Sequence, residues 1–170
     1  DAHAYLASMK RWNRVSFLVP KLFVFLGLLS GLSSCCYKFT SKPMIQPIYS
    51  KNAPQPIGPY SQAVQAGNTF YFSGMIGLNP ETGQFDSDTD VEVQTKRVME
   101  NISALMADAG LDFSNVVKTS IFLKSMNDFP KVNAIYGTYF KEGSYPARET
   151  VEVSRLPKDA LVEISVICVR

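Results

Sequence analysis

The chain has 170 residues, of which 46% are hydrophobic and 19% are charged, a composition typical of a globular protein and unlike that of a disordered one. Residues 1–43 hold six basic side chains and one acidic, a net charge of +5, whereas residues 44–170 hold 11 basic and 14 acidic, a net charge of −3. Binding to nucleic-acid phosphates requires clustered Lys and Arg, which this second segment lacks. We therefore expect no nucleic-acid partner.

Residues that carry common catalytic chemistry are missing from most of the chain. The single histidine is His3, and of the three cysteines only Cys168 lies beyond residue 43. This excludes from residues 44–170 a Ser-His-Asp triad, a His-ligated or Cys-ligated metal site and a disulfide framework. We expect neither a metal nor a cofactor, so the chemistry falls to carboxylates, Arg, Lys, Tyr and hydroxyl groups.

Residues 1–43 have the layout of a leader and not of a folded domain. Lys10, Arg11 and Arg14 form a basic start, and residues 15–32 are mostly apolar. The stretch ends in Leu-Ser-Ser-Cys35, which resembles the processing site of a bacterial lipoprotein. A membrane partner is expected only if Cys35 is lipidated.

A second interpretation of the leader competes with the first. Met44 begins a natural first strand, so translation from Met44 would make residues 1–43 an untranslated upstream segment and the protein cytoplasmic. The alternatives are an exported lipoprotein anchored through Cys35 and, less simply, a retained membrane anchor. In all of them residues 44–170 are the folded domain.

The first half of this domain is predicted to be mostly extended. We expect an edge strand at 45–50, a Pro/Gly-rich loop at 52–59, a hairpin of 63–66 and 69–73 with its turn at Gly67-Asn68, and a further extended piece at 74–77. The strand at 45–50 is placed at an edge because Pro47 cannot donate a ladder hydrogen bond.

The first helix is predicted from its apolar spacing and its ends. Thr89 and Glu92 have the spacing of a capping box, and Gly110 provides a stop. Helical spacing places a set of apolar residues and one threonine on the same face of the helix. They are Val91, Thr95, Val98, Ile102, Leu105, Met106 and Ala109.

The second half alternates strands and a helix. A β-rich run at 116–123 predicts a central strand, and 129–140 predicts a helix capped by Asn127 or Asp128 with Pro130 in its first turn. Strands are expected at 149–154 and at 161–169, the latter covered on both sides because it is almost continuously apolar. The predicted order is β-β-β-α-β-α-β-β.

Three residues of this domain are candidates for chemistry. Arg148, at the start of a strand, offers a planar fork that matches a carboxylate, although an ordinary surface ion pair is the simpler interpretation. Glu163 is a lone carboxylate in an apolar strand and a candidate general base, unless it faces solvent or pairs structurally. Tyr60 lies in a stiff Pro/Gly loop that can hold its ring over a pocket, unless the ring only packs.

Taken together, the motifs of residues 45–170 resemble the RidA/YjgF family of reactive-intermediate deaminases. The resemblance is carried, in order and with the family's spacing, by Gly58-Pro-Tyr-Ser-Gln62, Phe72-Ser-Gly74, Asn127-Asp-Phe129, Val132-Asn133, Pro146-Ala-Arg148, Val151-Glu-Val-Ser-Arg-Leu-Pro-Lys-Asp159 and Val162-Glu-Ile164. It implies an α+β, chorismate-mutase-like fold, a mixed sheet with two helices packed on one face, assembled as a homotrimer with active sites between subunits.

The resemblance also implies an activity. Family members hydrolyse 2-imino acids such as 2-iminobutanoate and 2-iminopropanoate to 2-keto acids and ammonia. By match to the family's motifs, Arg148 clamps the substrate carboxylate and Glu163 positions the attacking water. Four more matching residues line the pocket, namely Tyr60, Ser73, Gly74 and Asn133. Neither a metal nor a covalent nucleophile is needed, since a protonated imine carbon is already electrophilic.

The chain departs from the family's pattern at three positions. Glu149 stands where a small residue is common, Thr150 where Cys is frequent, and Met75 where Gln is frequent. Thr150 can still present a hydroxyl and a backbone amide to substrate, and Glu149 should point to the opposite sheet face from Arg148. These changes leave the substrate range open.

Two other functions remain open at this point. The domain could be a non-catalytic trimeric module that binds small 2-keto acids, or it could have the endoribonuclease activity attached to some family members. The net charge of −3 without a basic groove argues against the latter. An exported protein would also be separated from the cytoplasmic dehydratases that produce these imines, so the lipoprotein interpretation conflicts with the deaminase.

Overall fold

The structure, a computed structural model, describes residues 44–170. The predictions made for residues 1–43, including the signal-peptide-like stretch and Cys35, lie outside the described residues. Within residues 44–170, no helix combines the length and the apolar character needed to cross a membrane.

The N-terminal part of the domain is an antiparallel meander. It consists of β1 (Ile45–Ile48), β2 (Ala63–Ala66) and β3 (Thr69–Phe72), followed by the short β4 (Met75–Ile76). Gly67 makes the turn between β2 and β3 at φ +62°, a left-handed conformation that glycine adopts without steric cost. The strand β1 pairs with β2 alone, so the predicted edge position of Pro47 is confirmed, although the strand ends two residues earlier than predicted.

The helix α1 (Val91–Asp108) begins with a different cap from the predicted one. The carboxylate of Asp90 accepts hydrogen bonds from the backbone N–H groups of Glu92, at 2.8 Å, and Val93, at 3.4 Å. The predicted capping box of Thr89 and Glu92 is therefore wrong. An ionised carboxylate is a stronger acceptor than a hydroxyl and also interacts favourably with the positive end of the helix dipole.

The predicted apolar face of α1 is confirmed. Its residues lie in the hydrophobic core, with the closing Ala109 only half-buried, and Gly110 ends the helix at φ +68°. Three polar residues of α1 are also buried, namely Gln94, Thr95 and Asn101. The Asn101 amide donates to the carbonyl of Leu78 at 2.8 Å, which ties α1 to the chain just after β4.

The second half contains β5 (Val116–Leu123), α2 (Phe129–Gly137), β6 (Ala147–Glu152) and β7 (Val162–Val169). The strand β5 has its predicted bounds. Helix α2 ends three residues before the predicted end, and β6 begins and ends two residues earlier than predicted.

The cap predicted for α2 is also different in the structure. Pro130 lies in the first turn as predicted, but the side chain of Asp128 makes no capping hydrogen bond. A short 3-10 turn, Met126–Asp128, precedes the helix, and its own cap is Ser125, whose hydroxyl accepts from the N–H of Asn127. The preceding turn already positions the chain for the helix, so neither predicted cap is used.

The strands form one mixed sheet in the order β1-β2-β3-β7-β5-β6, with β4 paired to β7 beside β3. Among the strand pairs of residues 44–170, only β5–β6 is parallel. Both helices pack on one face of this sheet, where the apolar side chains of β5 and β7 join those of α1 in a continuous core. The predicted α+β fold, a mixed sheet with two helices on one face, is confirmed.

Within residues 44–170, no α-helix packs on the other face of the sheet, and we call it the open face. Alternation and register place on it Val64, Tyr71, Lys118, Ser120, Phe122, Glu149, Val151, Glu163, Ser165 and Ile167. Along β7, residues on the helix side are buried and those on the open face are half-buried. Residues 44–170 of one chain therefore cover β7 fully on one side only, which differs from the prediction of two covered sides.

Candidate active site

Arg148 is held on the helix side of the sheet. It is the second residue of β6 and lies opposite Thr119 of β5, whose side chain faces the core. One guanidinium nitrogen of Arg148 donates to the side-chain oxygen of Asn133 on α2 at 2.8 Å. The guanidinium carbon also lies 5.0 Å from the ring centre of Tyr136 and 5.6 Å from that of Phe129. These contacts fix the plane of the guanidinium group.

The guanidinium borders a cavity of about 410 Å³ that is also lined by Asn133, Tyr136, Tyr145 and Pro146. Within residues 44–170 no carboxylate lies within ion-pair distance of Arg148. Burial raises the pKa of the neighbouring Tyr136, so this phenol stays neutral and leaves the cationic charge uncompensated. Such a group is ready to receive an anion, best a carboxylate held by two parallel hydrogen bonds.

Thr150 lies two residues further along β6, on the same side of the sheet as Arg148. Its hydroxyl oxygen is buried and has no hydrogen-bond partner within the described chain. Asn133, Arg148 and Thr150 together form what we call the arginine cluster. Its polar groups fit the sequence-predicted role of binding a substrate carboxylate.

Glu149 points to the open face, as predicted from strand alternation. Its carboxylate accepts a hydrogen bond from Ser120 at 2.5 Å and pairs with Lys118 at 3.0 Å. These two partners, Ser120 first, lower the pKa of Glu149. This departure from the family's pattern therefore does not touch the arginine cluster.

Glu163 lies on the open face, in the middle of β7. Its carboxylate borders a cavity of about 250 Å³ whose other walls are Ile57, Tyr60, Ser73, Gly74, Ile76 and Pro157. Burial raises the pKa of Glu163 above its ordinary value, because the ionised form loses solvation. A half-buried carboxylate with few competing partners is suited to accept a proton from water.

The residues around Glu163 come from the loop before β2 and from the β3–β4 connection. We call Tyr60, Ser73, Gly74 and Glu163 the glutamate cluster. The Ser73 hydroxyl donates to the carbonyl of Ser61 at 2.7 Å, and Ser73 lines the cavity. The Tyr60 hydroxyl accepts from the N–H of Ile57 at 3.3 Å, which closes the Pro/Gly-rich loop on itself.

Gln62 is a residue whose role the sequence alone did not indicate. Its side chain is buried and bonds to the loop that carries Tyr60: it accepts from the N–H of Ser50 at 2.6 Å and donates to the carbonyl of Pro54 at 2.8 Å. The available signal in the sequence was the position of this amide, directly before the strand predicted at 63–66. An amide that is buried there must find hydrogen-bond partners. Gln62 positions the loop and does not face the cavity.

Met75 belongs to the core and not to either cluster. It is buried, pairs with Ile164 across β4 and β7, and packs in the main hydrophobic cluster. Among residues 44–170, no three His, Cys, Asp or Glu side chains are grouped as a metal site requires.

Within one chain the two clusters do not meet. Arg148 lies opposite Thr119 and faces the helices, whereas Glu163 lies opposite Phe122, three residues further along β5, and faces away from them. A small substrate cannot touch both side chains through the sheet. Within residues 44–170 of one chain, each cluster can therefore supply only half of any site that uses both residues.

The described domain is similar in sequence to known proteins. Residues 50–170 match the sequence profile of the family described as Endoribonuclease L-PSP. A RutC family protein of Synechocystis sp. is 51% identical over 122 residues, which are 72% of this chain and 94% of that protein. A protein of Escherichia coli named 2-iminobutanoate/2-iminopropanoate deaminase is 45% identical over 129 residues, 75% of this chain and 99% of that protein.

The fold has close counterparts among solved structures. The crystal structure of a conserved Rid family protein of Yersinia pestis superposes with a TM-score of 0.72 at 48% identity, covering 75% of this chain and all of that one. The matched part corresponds to the described domain, with its mixed sheet and two helices. From the profile match, the sequence identities and this superposition, the chain belongs to the RidA/YjgF (Rid) family.

Proposed function

We propose that the protein hydrolyses 2-imino acids, such as 2-iminobutanoate and 2-iminopropanoate, to 2-keto acids and ammonia. The observation that carries the proposal is the pair of half-sites. One is a fixed arginine fork with no carboxylate partner among residues 44–170, and the other is a half-buried carboxylate that borders a separate small cavity. The 45% identical relative named as such a deaminase supports the same conclusion.

In this mechanism the arginine cluster binds and the glutamate cluster reacts. Arg148 takes the substrate carboxylate in a two-point contact. The Thr150 hydroxyl is buried and does not line this cavity, so it reaches the same group only when the cavity opens toward β6. Fixing the carboxylate fixes the adjacent imine carbon, so that water meets it in one orientation only.

Glu163 then acts as the general base. It accepts a proton from water while the water oxygen forms a bond to the carbon of the protonated imine, which gives a tetrahedral carbinolamine. Glu163 passes this proton to the amino nitrogen and is again a carboxylate. It then takes the hydroxyl proton as the C=O bond forms and the carbon–nitrogen bond breaks, so that ammonia and the 2-keto acid leave and Glu163 returns its proton to solvent. The raised pKa of Glu163 favours this role, because a more basic carboxylate accepts the proton more readily.

The site requires a second copy of the chain, and we propose a homotrimer with sites between subunits. The two clusters face opposite sides of the sheet, so the arginine of one copy must approach the glutamate of another. The open face supports such packing because it exposes apolar side chains: Tyr71 and Val151 remain 49% and 44% exposed in the single chain.

The proposal is tested by imine hydrolysis, with the imine produced in the assay by an amino-acid oxidase. We expect the 170-residue chain to accelerate loss of 2-iminobutanoate, and the Arg148→Ala variant to lose about 100-fold or more in kcat/KM, because the carboxylate is no longer oriented. Arg148→Lys should recover only part of this, since an ammonium group cannot make the two-point contact.

The matched control is Arg97→Ala, which removes another surface arginine that pairs with Asp86 at 2.7 Å, away from both cavities. Both variants should melt like the unaltered chain. An Arg148→Ala variant as active as the Arg97→Ala control would rule out the mechanism. Tight 2-keto acid binding by a well-folded chain without turnover would instead support the non-catalytic binding module.

Endoribonuclease activity is the weaker candidate, although the matching family profile carries that description. The described domain has a net charge of −3 and no basic run, so it lacks the electrostatic surface on which RNA phosphates bind.

A further inference from the structure

The turn between β6 and β7 has an unusual backbone. Lys158 and Asp159 are consecutive and have φ values of 55° and 59°, although neither is a glycine. The left-handed region is costly for residues with a Cβ, and such residues normally occur there singly. We call Pro157–Asp159 the left-handed turn. Its geometry persists only if the surrounding contacts enforce it.

Backbone hydrogen bonds close the turn, from the N–H of Asp159 to the carbonyl of Leu156 and from the N–H of Ala160 to the carbonyl of Pro157, each at 3.1 Å. One side-chain pair reinforces them. Arg155 donates from Nε to one carboxylate oxygen of Asp159 at 2.7 Å and from a terminal nitrogen to the other at 3.0 Å. Lys158 adds a bond from its ammonium group to the carbonyl of Gly83 at 3.3 Å. The two-point fork of Arg155 and Asp159 bridges the ends of the turn and fixes its curvature.

This fork is poorly explained as a device for stability. The Arg155 side chain is 77% exposed, and exposed ion pairs contribute little to the free energy of unfolding. Beneath the turn, Leu156 and Ala160 already anchor the chain in a small apolar cluster with Ile76. The effect of the fork is therefore local: it acts on the shape of the turn between two anchored residues, together with the backbone hydrogen bonds of the turn.

The turn positions the ring of Pro157 at the cavity beside Glu163. Of the three residues in the left-handed turn, Pro157 alone lines the cavity of about 250 Å³ that Glu163 borders. Ile57 and Ile76, from two other segments, supply further apolar wall. The space beside the Glu163 carboxylate is thus bounded by apolar groups, and one of them depends on a strained turn for its position.

We propose that the fork of Arg155 and Asp159 is a specificity device: it holds Pro157 against the cavity and so sets the largest substrate side chain that fits beside Glu163. The proposal rests on the proposed imine hydrolysis and names its substrate class, imino acids with short apolar side chains. Arg155 and Asp159 act through Pro157 and are positioning residues. Breaking the fork lets the turn relax and the wall move back, so that longer side chains are admitted.

The test compares imines of increasing size in the full chain. Imines are generated in the assay from alanine, 2-aminobutyrate, leucine and phenylalanine. For unaltered protein we expect kcat/KM to fall steeply with side-chain size, since an apolar pocket discriminates by roughly 10-fold or more per misfitting group. In Arg155→Ala the ratio of kcat/KM for the alanine-derived over the leucine-derived imine should fall about tenfold.

The change should lie mainly in KM for the large imines, with kcat for the small ones nearly kept, because Glu163 itself is not altered. Asp159→Asn should have the same effect, and the double variant should be no worse than either single one, because both remove the same fork. Arg155→Lys retains the charge but can make only one contact, so its size ratio should lie between those of the unaltered chain and of Arg155→Ala. Arg97→Ala, with an ion pair of equal length elsewhere, should keep the ratio of the unaltered chain.

A size ratio unchanged in a folded Arg155→Ala or Asp159→Asn variant would overturn the proposal. If the unaltered chain hydrolyses no imine, the proposed function fails and the fork is judged by binding instead. Calorimetry with pyruvate and with 4-methyl-2-oxopentanoate should then show a preference for pyruvate that Arg155→Ala loses. Equal preference in both proteins would overturn the fork's role independently of catalysis.

Discussion

Gly74 and Glu163 pack closely against each other in the glutamate cluster. A Cβ atom built on Gly74 would lie 1.8 Å from one carboxylate oxygen of Glu163 and 2.7 Å from its carboxyl carbon. Only a glycine leaves room for this carboxylate against the backbone, and the resulting burial raises the Glu163 pKa. The resemblance to the family places Gly74 in the pocket; the structure indicates that its role is to seat Glu163.

The Gly74→Ala substitution should therefore lower kcat/KM strongly and the free energy of unfolding only slightly. The carboxylate is the end of a flexible side chain and can move away, so we expect a loss of unfolding free energy of about 1 kcal/mol but a fall in kcat/KM of about 100-fold. Displaced toward water, the carboxylate should regain solvation and its pKa should fall. The residual activity, which rises with pH as Glu163 ionises, should then rise at lower pH than in the unaltered chain.

Kinetics across pH and thermal melting check both parts of this prediction. In a Glu163→Ala background, Gly74→Ala should change the melting temperature little, because the atoms it would meet are gone. Full activity in Gly74→Ala would show that Glu163 has another place from which to act.

At the scale of elements, the ends of helices and strands decide where the site residues point. Because β6 begins at Ala147, Arg148 lies within the strand and takes its alternation, which directs it to the helices. The sequence predicted this strand from residue 149, since Glu149-Thr-Val-Glu-Val-Ser154 alternates on its own. Pairing with β5 extends the strand to Ala147 and Arg148, whose local sequence pattern does not by itself indicate a strand.

The cap of α1 allows an element-scale prediction with a built-in control. Asp90→Ala should lower the free energy of unfolding by about 1 kcal/mol, because the first backbone N–H groups of the helix lose their acceptor. Thr89→Ala, one residue earlier, should cost much less because Thr89 does not cap the helix. Denaturant unfolding of both variants distinguishes the two positions. If both variants lost the same free energy of unfolding, the result would support the capping box predicted from the sequence.

At the scale of the whole molecule, the two half-sites make activity a property of an assembly. If each site takes Arg148 from one copy and Glu163 from another, two inactive variants complement each other. Coexpressed in equal amounts, Arg148→Ala and Glu163→Gln should give about a quarter of the unaltered activity, because each site draws its two halves independently. Each variant alone should be inactive.

Native mass spectrometry of the coexpressed chains should show mixed trimers, which confirms that the copies assemble together. Mixed trimers without activity would mean that both residues act from one chain, against the geometry of the sheet. A monomeric protein with full activity would contradict the proposed assembly itself.

The sequence by itself determined the elements and the residue types of the site. Apolar spacing located α1 and β5, because helix and strand periods are local properties, and the motifs around Arg148 and Glu163 identified the family. The fold class followed from the same resemblance and was confirmed.

Only the tertiary structure decided which side of the sheet each site residue faces and what holds it there. The separation of Arg148 from Glu163 depends on the register of β5 with β6 and β7, strands that are distant in sequence. Two further features depend likewise on backbone geometry that residue types do not encode locally. They are the fork of Arg155 and Asp159 and the close packing of Glu163 against Gly74. Periodicity specifies an element, whereas the phase and partner of that element are set by packing between distant segments.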